Sequence, residues 1–139
     1  MEIVIINNDN RNLVSEFIQH KLSRHFRYFL KRKIDCLHSH LITIIGTVES
    51  KPVAYGHIDF DNEIYWVGVC ILEAYQGRGY GTKIIKYLLD AFKRLRPDKM
   101  LYLTVDKDNT GACILYQNVG FKVIEETDLY YRMNLNTIS

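Results

Sequence analysis

The sequence predicts an α/β fold, a mixed central sheet of about seven strands with flanking helices in the order β-αα-βββ-α-β-α-ββ. Three observations carry this. Residues 41–72 hold three β-rich runs separated by the turns Glu49-Ser50-Lys51-Pro52 and Asp61-Asn62, a meander of antiparallel strands. Gln76-Gly77-Arg78-Gly79-Tyr80-Gly81 stands between the last run and an amphipathic helix. Beyond that helix, strand and helix patterns alternate before a closing hairpin. Strands joined through helices need parallel neighbours, so the sheet is mixed.

Glu2 to Asn7 reads as the first strand, with Asn7-Asn8-Asp9-Asn10 as turn and helix-start material. From Arg11, the residues Leu13, Val14, Phe17, Ile18 and Leu22 recur at helical spacing. Phe26, Tyr28, Phe29 and Leu30 follow among Arg24, His25, Arg27, Lys31, Arg32 and Lys33, and the stretch reads as two helices or one bent helix. It is either a helix with a solvated basic face or part of an acceptor-pocket wall. In the middle strand of the meander, alternation puts Val53, Tyr55, His57 and Asp59 on one face and Ala54, Gly56, Ile58 and Phe60 on the other. After the glycine turn, Ile84, Ile85, Leu88, Leu89, Phe92 and Leu95 mark one helix face, closed by Arg96-Pro97-Asp98. Leu101 to Val105 is a short strand and 106–109 a loop. Gly111 to Asn118 is a short helix stopped at Gly120, and 121–125 with 129–135 form the hairpin.

Composition narrows the function. The chain of 139 residues reads as one domain over 1–139, and a hydrophobic fraction of 47% supports a packed core. A formal charge of +2 gives no electrostatic case for nucleic acid. Cys36, Cys70 and Cys113 lack metal-type spacing, and Cys70 and Cys113 read as core thiols. No metal is expected. The N-terminus has no signal-peptide pattern, and no run reaches the roughly 18 apolar residues of a membrane span. A cytoplasmic protein without a membrane partner is the expectation.

The glycine turn is the chemical centre. The first N–H groups of a helix lack internal partners and sit at the positive end of its dipole. Glycines permit the backbone angles that bring such groups against an anion. The Walker pattern is absent, and Gly77-x-Gly79-x-Gly81 does not have the Rossmann spacing.

This order of elements, with Gln76, Gly79 and Gly81 matching an Arg/Gln-x-x-Gly-x-Gly/Ala signature, resembles the GNAT superfamily of acetyl-CoA-dependent N-acetyltransferases. A second match, Asn109, Ala112 and Tyr116 running into Gly120-Phe121, is similar to that family's downstream element. The resemblance implies roles by position. Amides from Gly77 through Arg78, Gly79, Tyr80 and Gly81 to Thr82 hold the pyrophosphate of CoA, beside Gln76. The fourth strand carries a bulge and splays from the fifth, with Cys70, Ile71 and Leu72 along the pantetheine and an amide near Ile71 polarising the thioester. Asn109 touches the cofactor arm and Tyr116 protonates the departing thiolate.

An amine must be neutral to attack, and an alkyl ammonium has a pKa near 10, so a base is needed. His57, Asp59 and Glu73 are candidates beside ordered water. Phe26, Tyr28, Tyr55 and Trp66, with His57 and Asp59, suit a ring-bearing small-molecule amine such as an amino sugar. A protein N-terminus or lysine is the alternative acceptor. A non-catalytic acyl-CoA-binding sensor is the alternative outside enzymology. The oligomeric state stays open, a homodimer included.

Overall fold

The computed structural model describes residues 1–136. Its strands are β1 (Glu2–Ile5), β2 (His40–Val48), β3 (Lys51–Asp61), β4 (Ile64–Ile71), β5 (Met100–Asp106), β6 (Lys122–Glu126) and β7 (Tyr130–Asn136). The helices are α1 (Asn12–Ile18), α2 (Tyr80–Leu95) and α3 (Thr110–Asn118). All seven strands form one sheet in the order β1-β2-β3-β4-β5-β7-β6. Among the described residues, β4 and β5 are the one parallel pair of neighbours, as the crossover through α2 requires.

The alternation read from β3 sorts the two sides of the sheet. Phe17 of α1 stacks on Tyr55 with ring centroids 5.8 Å apart. On the opposite face, a Cβ on Gly56 would lie 2.6 Å from Ile84 and 2.9 Å from Leu88, so α2 packs directly on that backbone. Ile84, Ile85, Leu88, Leu89 and Phe92 of α2 are buried, each worth about 1.5–3 kcal/mol of transfer free energy. Leu95 ends that face exposed, at the last position of the helix.

Three expectations are corrected. The helical pattern after Arg11 yields only α1, followed by 3-10 turns at Tyr28–Leu30 and Ile34–Ser39. Phe26 and Phe29 both meet the Tyr55 ring edge-on, at 5.6 and 5.3 Å, and Tyr28 lies 4.2 Å from His57. An α-helix advances about 100° per residue and would turn Tyr28 about 200° from Phe26. Three aromatics aimed at one patch of sheet therefore exclude that helix. Cys70 is a buried thiol as expected, but Cys113 is half-buried, with its Sγ 3.6 Å from the carbonyl of Asp106.

The third correction concerns the seam between β4 and β5. They pair only at Tyr65–Leu101 and Trp66–Tyr102 and then part, while β5 stays paired with β7 from Met100 to Asp106. The register of β4 on β3 runs unbroken from Ala54–Ile71 to Asp61–Ile64. The gap therefore opens without a bulge in β4. No helix among the described residues is long and apolar enough to cross a membrane.

Candidate active site

The seam widens into a cleft of about 530 Å³ that runs from the start of α2 to the middle of β4. Its upper end is the glycine turn. Gly77 and Gly79 have φ of 78° and 80°, the left-handed region that favours glycine. A Cβ at either would meet no atom within 4 Å, so the requirement is backbone conformation and not space. At Gly81 the constraint is packing, since a Cβ would stand 3.3 Å from Leu115 of α3. The first intrahelical bond of α2 comes from Lys83 to the Gly79 carbonyl. The amides of Tyr80, Gly81 and Thr82 thus have no intrahelical acceptor. No side chain caps them and no carboxylate stands in the first turn. This is an electropositive end open to an anion.

The walls follow from strand alternation. Leu72 donates its amide to the Val53 carbonyl, so in the alternating antiparallel ladder the amides of Ile71 and Val69 point the other way, into the gap, while that of Val67 belongs to the last rung with β5. The Ile71 carbonyl is tied to Gln76 Nε2 at 3.2 Å, which braces the strand end against the glycine turn. Across the gap stand Thr104, Val105 and Asp106 of β5, with Asn109, Ala112 and Tyr116. The Asn109 side chain accepts from the Ala112 amide at 3.4 Å and caps α3. Tyr116 is buried at 7% exposure and packs edge-on against Phe121 at 5.9 Å. Burial raises its hydroxyl pKa, which keeps it a neutral proton donor.

Of the residues expected around the coenzyme, Cys70, Ile71, Gln76, Gly77, Gly79, Tyr80, Gly81 and Asn109 line this cleft. Leu72 does not, because its side chain is buried and its amide is spent on β3. Arg78 stacks over Tyr75 at 5.0 Å, and the Thr82 side chain faces a neighbouring hollow with Lys86 and Asn118. Val67 and Val69 were missed by the sequence reading. Their signal, the parity of the β4 ladder, requires knowing which edge of the strand faces β5.

A second groove of about 390 Å³ adjoins the cleft, lined by Phe26, Arg27, Tyr28, Arg32, His57, Asp59, Asp61 and Trp66 among others. Tyr55, expected here, is fully buried and lines neither space, so it supports the groove from beneath. Its hydroxyl is 2.6 Å from His57 Nδ1. His57 is 2% exposed, and burial together with neighbouring His40 holds its pKa well below the usual range. Asp59 accepts from the Tyr28 hydroxyl on one oxygen and from Ser39 Oγ on the other, each at 3.0 Å. His40 completes the network, 2.6 Å from the Tyr28 hydroxyl and 2.8 Å from Thr43 Oγ1. Burial lowers the pKa of His40 to about 4. His57 and Asp59 are therefore committed to internal partners. Glu73 opens a 3-10 turn and lines neither space.

At the junction lies a pair that the sequence reading did not identify. His25 Nδ1 is 2.9 Å from Asp106 Oδ2. Asp106 also takes a two-pronged contact from Arg27, at 2.8 and 2.9 Å, which with His25 brings its carboxyl down to about 2. Eighty-one positions separate His25 from Asp106, so spacing alone does not reveal the pair.

Comparison with known proteins agrees with this geometry. The sequence model of the acetyltransferase (GNAT) family matches residues 9–121. The N-alpha-acetyltransferase RimI of Mycobacterium tuberculosis is 40% identical over 75 residues, 54% of this chain and 44% of that protein. The spermine/spermidine N(1)-acetyltransferase of Bacillus subtilis is 39% identical over 56 residues, 40% of this chain and 37% of that one. The chain thus matches less than half the length of these curated relatives. A putative acetyltransferase from Salmonella typhimurium, solved with its cofactor acetyl-CoA, superposes with a TM-score of 0.77 at 16% identity, covering 99% of this chain and 94% of that one. The ribosomal-protein-S18-alanine N-acetyltransferase of Escherichia coli gives 0.75 at 17%, with the same coverage. At such identities the likeness is one of fold.

Proposed function

The chain belongs to the acetyltransferase (GNAT) family, and from that premise we propose that it transfers the acetyl group of acetyl-CoA to a primary amine. The observation that carries this reading is the cleft itself, which runs from an uncapped helix start to a strand edge with free amides and ends beside a polar groove. The amides of Tyr80, Gly81 and Thr82 would hold the pyrophosphate. The edge of β4 at Val69 and Ile71 would pair with the amide-rich arm of the coenzyme as an added strand does. When bound, the coenzyme supplies an activated acyl thioester. An amide of β4 would donate to the oxygen that gains charge as the amine attacks, and such a donor acts strongly where water is excluded. Tyr116 would give its proton to the departing sulfur.

For the acceptor we favour a small molecule with a polar, ring-sized body, such as an amino sugar. Phe26, Tyr28 and Trp66 offer faces for it, while Arg32 and Asp61 stand at the rim for its polar groups. A protein N-terminus is the second reading, favoured by the identity to RimI. The test is thiol release from acetyl-CoA with glucosamine, spermidine and an alanine-initiated peptide. Turnover with glucosamine supports the first acceptor, and turnover with the peptide alone replaces it by the second. Binding of acetyl-CoA with no release on any amine would leave a non-catalytic sensor.

A further inference from the structure

We propose that His25, held by Asp106, is the general base that deprotonates the acceptor amine. This rests on the acetyl-transfer reading above. His25, Phe26, Val67, Gly68 and Thr104 are the residues that line both the cofactor cleft and the acceptor groove. Among these five, only His25 carries an ionisable side chain. The proton of the incoming amine must leave at that boundary.

The geometry supplies the rest. An ionised carboxylate only accepts, so Asp106 places the hydrogen of His25 on Nδ1 and the lone pair on Nε2. The side chains of His25 and Asp106 are 17% and 14% exposed, reachable by a small group yet largely shielded. The loop is fixed locally, since the His25 amide donates to Ser23 Oγ at 3.2 Å and Arg27 donates to the Arg24 carbonyl at 3.0 Å. The charged groups around the ring are Asp106, Asp108 at 3.6 Å, Arg27 on Asp106 and Arg24 on Asp108. His25, Asp106 and Asp108 lie close enough together to hold a metal ion, but the two arginines already neutralise both carboxylates. The other candidates fall short. Both oxygens of Asp59 are taken, His57 is buried with Nδ1 engaged, and Glu73 borders neither space.

In the step so defined, the ammonium gives one proton to His25 Nε2, and Asp106 stabilises the imidazolium. The freed nitrogen lone pair forms the C–N bond at the thioester carbon. As the C–S bond breaks, its electron pair leaves with sulfur, which takes the Tyr116 hydroxyl proton. The second proton of the nitrogen restores Tyr116, and His25 returns its own to water. One proton is released per turnover and no electrons change hands.

The decisive variant is His25→Asn, whose amide nitrogen can still donate to Asp106 while the lone pair is gone. On whichever of glucosamine, spermidine or the alanine-initiated peptide the wild type acetylates, kcat should fall about 100- to 10,000-fold. The Kd for acetyl-CoA should stay within twofold. Wild-type kcat in this variant overturns the proposal. Nitrogen-15 NMR of the neutral ring tests the positioning role of Asp106 without turnover. The hydrogen should sit on Nδ1 in the wild type and lose that preference in Asp106→Asn, and a hydrogen on Nε2 in the wild type overturns the dyad. If the wild type acetylates none of the three amines, the acetyl-transfer reading fails, and the NMR result still judges the pair.

Discussion

Gly68 lies in β4 opposite His57, where a single methyl group tests the packing of the whole junction. A Cβ at Gly68 would stand 2.7 Å from His57 Cε1 and 2.8 Å from Nε2. That is about 0.8 Å short of the roughly 3.5 Å at which carbon atoms pack. The ring has little room to retreat. Its Nδ1 is 2.6 Å from the Tyr55 hydroxyl, and the rings of Tyr28 and His40 lie 4.2 and 4.5 Å away. Gly68→Ala therefore overpacks the site at about 1–3 kcal/mol. Weakening the Tyr55 bond adds about 0.5–1 kcal/mol. The gain from replacing glycine in a strand returns about 0.5–1 kcal/mol. The net loss is about 1–3 kcal/mol, or a fall in Tm of about 3–10 °C for a chain of this size. Thermal unfolding followed by circular dichroism measures it. The control is the same change made in His57→Ala, where the clash is gone and the loss should shrink below about 0.5 kcal/mol. An unchanged Tm in Gly68→Ala, or an equal loss in both backgrounds, would refute the contact as the cause.

Gly79→Val forces a β-branched residue to φ of 80°, re-aiming the amides at the start of α2. We expect a folded protein, destabilised by about 1–2 kcal/mol, whose Kd for acetyl-CoA rises at least about tenfold by calorimetry. Normal affinity would sink the assignment of the turn. Tyr116→Phe removes one hydroxyl, and kcat should drop about ten- to ten-thousand-fold in a thiol-release assay with acetyl-CoA affinity unchanged. Full activity would hand the protonation of sulfur to water. Stability should also depend on pH through the buried imidazoles. His40 titrates at about 4 when folded against 6.5 ordinarily, so the unfolded chain binds the proton first. The full contribution is present above about pH 6.5 and is lost as pH falls toward 4, with His57 acting in the same sense. Urea midpoints at about pH 7.5 and about pH 5 should differ less in His40→Gln than in the wild type, and an equal difference would refute the linkage.

Local pattern was readable wherever one face of an element meets the core. The alternation of Tyr55, His57 and Asp59 against Gly56 and Ile58 sorted the two faces of β3, and the structure adds that α1 covers one and α2 the other. The spacing of Ile84, Ile85, Leu88, Leu89 and Phe92 gave the buried face of α2. The pattern failed where contacts are long-range. Phe26 and Phe29, three apart, mimic helical spacing, yet converge with Tyr28 on Tyr55 and His57 far along the chain. Tyr55 read as a pocket residue because it shares a face with His57, and depth within a face is not encoded by alternation. The resemblance puts Leu72 along the cofactor arm, but ladder parity, which depends on the neighbouring strand, turns its amide to β3. His25 was read as one basic residue among many, since Asp106 reaches it only through the fold.

The seam between β4 and β5 also divides the molecule mechanically. Among the described residues, two backbone pairings, Tyr65–Leu101 and Trp66–Tyr102, join the meander of β1 to β4 to the half-sheet of β5, β7 and β6. Each half is continuously bonded within itself, and beneath the seam it is the shared side-chain core that holds the two together. A ligand lodged in the gap and bonded to β4 would add the cross-links that the polypeptide omits. Its free energy of binding then resists separation of the halves, by an amount that grows with the logarithm of its concentration. The protein's mechanical integrity would rise and fall with the supply of its own substrate.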